Sequence, residues 1–271
     1  MTRAPVLFVS HGAPTVALEH GGLELALRDF AASVGRPRGI LVVSAHWTAR
    51  RALGITSAPH HRLIYDFGGF PEELYRLEWP APGAPDLAAR AAALLDAAAF
   101  HAGLDPLRGL DHGAWIPLRL AWPAADVPVV QVALPATDPD DLLRLGAALR
   151  PLRDEGILLV ASGGIVHNLA RVRFGDAGEP DPWAVRFDAW VRDRVAALDV
   201  AGLARWQDDA PEGFLAQPTP EHLDPLFVAL GARADDDRPD MIHEGIVHGN
   251  LSMRSFALRP GGPTAAPTRS P

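Results

Sequence analysis

Continuous apolar runs alternate along this chain with stretches in which apolar residues recur every three or four positions. The runs are PVLFVS (5–10), GILVVSAHW (39–47), PVVQVAL (128–134) and ILLVASGGIV (157–166). Unbroken, β-branched runs predict strands buried on both faces, as in a parallel sheet. The segment LELALRDFAASVG (23–35) has helical spacing and joins the first two runs into a β-α-β unit. Further helices are predicted over 84–102, from about Gly113 behind a capping Asp111, over 138–156 with acidic residues first and a glycine last, over 181–198, and over 219–232 with Thr219 as N-cap. The alternation predicts one α/β domain: a central, mostly parallel sheet flanked by helices, with its ligand site at the carboxyl ends of the strands.

Three segments depart from this rhythm. Residues 48–85 are rich in Gly, Pro and aromatics (YDFGGFPEELY, EWPAPGAP) and read as one long excursion forming a wall or lid. SMRSFAL (252–258) alternates and reads as an edge strand. Residues 1–258 are read as the domain, and 259–271, dominated by Pro, Gly, Thr and Ala, as a disordered tail.

Composition narrows the function classes. With 271 residues, 48% of them hydrophobic, the chain can bury a sizeable core. A net charge of -8 argues against a nucleic-acid partner. The absence of cysteine excludes disulfides, zinc fingers and iron–sulfur clusters, so any metal must be held by imidazole, carboxylate and water. The N-terminal apolar run is too short for a signal sequence, and no run approaches the length of a membrane span. The expectation is a cytoplasmic protein. Homo-oligomerisation is left open.

Histidine placement carries the chemistry. His11, His46 and His167 each follow an apolar run, where a parallel sheet gathers its ligand-binding groups, and His222 follows the rigid Pro218-Thr219-Pro220. Neutral imidazole is the commonest ligand for zinc, iron and copper, so the convergence predicts a metal site. Three histidines on a metal with a fourth alongside would leave open positions plus an acid–base group. His112, at a predicted helix start beside Trp115, suits either substrate binding or support of a metal-ligating neighbour. Ser44 and Ser162 lie outside any nucleophile elbow and are read as backbone-satisfying. His20, His60, His61, His101, His243 and His248 have no such context.

The motifs PVLFVSHGAPTVAL, VVSAHW, YDFGGFPEELY, EWPAPGAP, DHGAWIPL, LVASGGIVHNL and PTPEHLDPLFVALGA, spread over nearly the whole chain, resemble the LigB-like class III extradiol ring-cleavage dioxygenases, DODA-type branch. The resemblance implies a non-haem metal held by His11, His46 and His222, with His167 as a fourth ligand or as the acid–base. It implies Fe(II) in turnover, Zn(II) in the protein as isolated, and a small catecholic substrate cleaved with O2 to a muconic semialdehyde. His112 is then expected to act in catalysis by hydrogen-bonding the diol or oxygen, and Tyr65, Phe67, Phe70 and Trp115 to line the pocket. The wider superfamily supplies a glutamate where this sequence has His222; Glu221 beside it is the substitute on offer. Two other readings use the same residues: a zinc hydrolase on the histidine cradle, and a non-catalytic Memo-like binding protein.

Overall fold

The four apolar runs become four neighbouring strands. In the computed structural model, which describes residues 3–175 and 178–261, the strands are β1 (Val6–Ser10), β2 (Gly39–Ala49), β3 (Leu53–Thr56), β4 (Ala102–Asp105), β5 (Val129–Pro135), β6 (Ile157–Gly163), β7 (Asp237–His243), β8 (Ile246–Val247), β9 (Leu251–Ser252) and β10 (Ser255–Pro260). Eight of them form one sheet in the order β4-β3-β5-β2-β6-β1-β10-β7, and β8 and β9 pair separately. The central pairs β5–β2, β2–β6 and β6–β1 are all parallel.

Strand periodicity divides the core into two layers. Val6 and Phe8 of β1 face the helices Pro85–Ala97, Pro139–Leu149, Pro182–Ala197 and Asp224–Gly231, whereas Leu7 and Val9 face Gly22–Val34 and His112–Ala121. Helix Gly22–Val34 buries Leu23, Leu27, Phe30 and Ala31, the stripe its sequence spacing predicts. At the far end from the histidines, Arg153 and Asp237, both fully buried, form a two-bond ion pair at 2.6 and 3.0 Å.

Several expectations are corrected. SMRSFAL does not form an edge: β10 begins at Ser255 and is antiparallel to both β1 and β7, so its alternation reflects two inner-sheet faces. It runs through Arg259 and Pro260, two residues into the segment read as tail; residues 262–271 lie outside those described. The 48–85 excursion contains β3, four residues that join β5 antiparallel and β4 parallel. The 219–232 helix is broken into a 3-10 turn, Pro220–His222, and a helix from Asp224; the Thr219 side chain makes no cap bond and instead donates to Glu221 Oε1 at 2.7 Å. No helix among the described residues is long and apolar enough to cross a membrane.

Candidate metal centre and active site

His11 follows β1 directly, and its backbone N–H donates to Gly163 at the end of β6, which fixes the chain as it leaves the sheet. Gly12 then turns at φ +63°, a conformation that favours glycine. His46 lies inside β2 rather than after it. The β2–β5 ladder loses register between Val43 and Thr48, and this irregularity re-aims the side chain. His222 closes the Pro220–His222 turn, its carbonyl accepting from Gly164 N–H at 2.8 Å. Helix His112–Ala121 brings its amino end against these rings. Asp111 caps it by accepting from Ala114 N–H at 3.1 Å.

These elements bring three imidazoles together. Ring centroids are 5.0 Å apart for His11–His46, 5.5 Å for His11–His222 and 5.0 Å for His46–His222. One ligand nitrogen from each lies within 4.8 Å of the others. His11 Nε2 and His46 Nε2 face each other at 3.1 Å.

The surrounding hydrogen bonds leave His11 with one free nitrogen lone pair. The Ser162 hydroxyl donates to the Gly113 carbonyl at 2.5 Å and lies 2.9 Å from His11 Nδ1. With its single proton committed, Ser162 can only accept from His11, so His11 carries its proton on Nδ1 and keeps the Nε2 lone pair free. His222 is buried with neither ring nitrogen hydrogen-bonded; Glu221 Oε1 is 3.5 Å from Nδ1, in ion-pair range but outside hydrogen-bonding geometry. A buried imidazole with two unpaired nitrogens is costly unless something takes a lone pair. Three such nitrogens suit a borderline-soft divalent cation.

Burial keeps the cluster neutral. Desolvation, then mutual repulsion among the rings, holds His11 well below its ordinary value and His46 down to about 2. Desolvation likewise lowers His222, and takes His167 to about 3. Neutral rings are the ligating form.

His112 and His167 flank the triad differently. The His112 centroid is 4.0 Å from that of His46, and its Nδ1 and backbone N–H both meet Asp66 Oδ1, at 2.9 and 3.0 Å. Burial raises the Asp66 carboxyl, but bonding to His112 outweighs this and holds it at about 2. His167 stacks face to face on His222, centroids 3.4 Å apart and planes within 8°. It is therefore beside the triad, not within the nitrogen cluster.

The sequence matches, across residues 5–258, the family described as the catalytic LigB subunit of aromatic ring-opening dioxygenase. This chain belongs to the LigB family. It is 40% identical over 262 residues to the 4,5-DOPA dioxygenase extradiol of Escherichia coli K12, covering 95% of each chain. It is 36% identical to the Beta vulgaris protein of the same description, covering 92% of this chain and 94% of the other. A crystal structure of an uncharacterized Escherichia coli K12 protein superposes with TM-score 0.81 at 35% identity, covering 94% of this chain and all of the other. The LigB chain is thus a dioxygenase of the extradiol class.

Within this LigB site, the aromatic expectations divide. Phe67 meets the His112 ring edge-on at 5.4 Å, and Phe70 meets Phe67 at 5.7 Å. Trp115 is corrected: it is fully buried in the core and donates its indole N–H to the Ile64 carbonyl, so no substrate reaches it. The Tyr65 hydroxyl is likewise committed, donating to the Leu77 carbonyl at 2.6 Å while its ring packs against Trp115. The sequence reading missed Asp66, because an acid inside an aromatic loop has no local signal for its partner 46 positions away. It also treated Ser162 as backbone-satisfying, which is half its role. The glycine of Asp111-His112-Gly113 was the available signal for close packing. A Cβ there would sit 2.5 Å from Ser44 Oγ and 2.8 Å from His46 Cδ2.

Proposed function

We propose that this chain cleaves catechols by the extradiol route on a divalent metal held by His11, His46 and His222, Fe(II) being the ion of turnover and Zn(II) a redox-silent occupant. The observation that carries the reading is the three-imidazole cluster, with the His222 nitrogens buried and unpaired, in a LigB-family chain. A redox-active metal supplies a chelation point for the diol and an electron path to O2; zinc supplies only the first.

The chain's own groups do the rest. His112, held at Nδ1 by Asp66, offers an Nε2 lone pair that accepts from a substrate hydroxyl. His167, stacked beside the triad, takes the second hydroxyl proton and returns it as the ring opens. Phe67 and Phe70 give a flat ring an apolar wall. Both oxygen atoms of O2 enter the product, a muconic semialdehyde. The relatives' descriptions point to catechols of the DOPA type.

The test is anaerobic reconstitution with Fe(II), followed by addition of substituted catechols and O2. A yellow product with one O2 consumed per ring supports the proposal; hydrolysis of ester or amide substrates by zinc-loaded protein without O2 would refute it in favour of a hydrolase. His11→Ala and His46→Ala should lose bound metal, whereas His167→Ala should retain metal and lose turnover. Normal turnover by His167→Ala would remove its acid–base role.

A further inference from the structure

A cation between His11 Nε2 and His46 Nε2 must draw a lone pair from each ring, so each neutral imidazole has to keep its proton on Nδ1. Ser162 meets this demand for His11. Around His46 Nδ1 the corresponding group is Asp66, whose Oδ2 lies 3.7 Å away. Oδ1 of the same carboxylate is 2.9 Å from His112 Nδ1 and accepts the His112 backbone N–H at 3.0 Å. Solvent still reaches Asp66, whose side chain is 26% exposed.

We propose that Asp66 is a shared positioning residue that holds the protons of His46 and His112 on Nδ1 and so turns both Nε2 lone pairs inward, one for the metal and one for the substrate. A carboxylate is an acceptor only, so a ring nitrogen facing it is favoured as N–H and disfavoured as a lone pair. At 2.9 Å this is a hydrogen bond to His112; at 3.7 Å it is a charge–dipole contact to His46. The two N–H groups of His112 also tie the 57–71 loop to the amino end of helix His112–Ala121, so one carboxylate aligns the loop, the helix and both rings. The inference rests on the reading of the triad as a metal site.

Asp66→Asn separates these roles because it is nearly isosteric. Its Oδ1 still accepts both His112 donors, but its NH2 group now faces His46 Nδ1. That favours a lone pair there and moves the His46 proton to Nε2, against metal ligation. The experiment is Zn(II) competition with a chromophoric chelator on the full chain, alongside 15N-histidine NMR of the zinc-loaded wild type and unfolding midpoints in chelator. We expect a zinc affinity lower by about 10- to 100-fold in Asp66→Asn, an unchanged midpoint, and wild-type His46 and His112 each with the proton on Nδ1. Wild-type affinity in Asp66→Asn, or a wild-type His46 or His112 protonated on Nε2, would overturn the inference alone. Failure of the wild type to bind zinc would overturn the metal reading with it. The NMR arm stands even if the variant folds poorly.

Discussion

Gly113→Ala sets two effects of opposite sign against each other. Gly113 is the second residue of helix His112–Ala121, where Ala in place of Gly ordinarily stabilises by up to about 1 kcal/mol. Here the added Cβ would stand 2.5 Å from Ser44 Oγ, 2.8 Å from His46 Cδ2 and 3.2 Å from His11 Cε1. Carbon contacts prefer about 3.5–4.0 Å, so His46 has to retreat by roughly 0.7 Å or more. Overpacking of this kind costs about 1–3 kcal/mol, which outweighs the propensity gain and leaves a net loss of about 1 kcal/mol. For a chain of this size that lowers Tm by about 2–4 °C. The larger consequence falls on the site, because the displaced atoms belong to two of the three clustered rings; zinc affinity should drop at least tenfold. Differential scanning calorimetry in chelator and chelator competition for zinc read the two effects separately. Gly103→Ala is the control, since a Cβ there meets nothing within 4 Å. A Gly113→Ala protein with raised Tm and wild-type zinc affinity would refute the close-packing argument.

Three further outcomes follow from buried titratable and charged groups. In chelator, lowering the pH from 7 to 5 should destabilise the fold. His46 and His167 are held neutral, at about 2 and about 3, chiefly by burial. The unfolded chain takes up protons near 6.5, so stability present above that pH is lost as it falls, by about 1.4 kcal/mol per pH unit per ring. Asp224, pushed up to about 7 by burial and Glu221, works the other way: its folded form gains a proton below pH 7 that the unfolded carboxylate takes up only near 3.8. Asp224→Asn should therefore lose stability more steeply over this range, and equal slopes in denaturant titrations at pH 7 and 5 would contradict the assignment. Arg153→Met should cost about 3–5 kcal/mol, because it leaves Asp237 charged and buried without its partner. Zinc affinity should be unchanged, and an unaltered unfolding midpoint would refute the cost.

Short-range patterns were legible without a structure. Apolar runs marked β1, β2, β5 and β6 because strands buried on both faces leave no polar alternation; helical spacing marked Gly22–Val34 and Pro182–Ala197; and Asp111 marked its helix start because an N-cap bonds within three residues. His11, His46 and His167 stood out because residues at the carboxyl ends of parallel strands collect at one end of the sheet, and His222 because of the rigid Pro218-Thr219-Pro220 before it. Strand order, the inner position of β10 and the recruitment of β3 and β4 were not legible, since short strands such as LGIT acquire their identity from partners distant in sequence. Nor could periodicity say that Trp115 is core while Phe67 meets His112, for a contact between residues far apart in the chain leaves no periodic trace. Which rings Asp66 and Ser162 face is decided by the tertiary structure alone. Which nitrogen of an imidazole carries its proton depends on the groups that face it, and only the folded sheet, with its irregular β2 and the close-packed Gly113, brings those groups there.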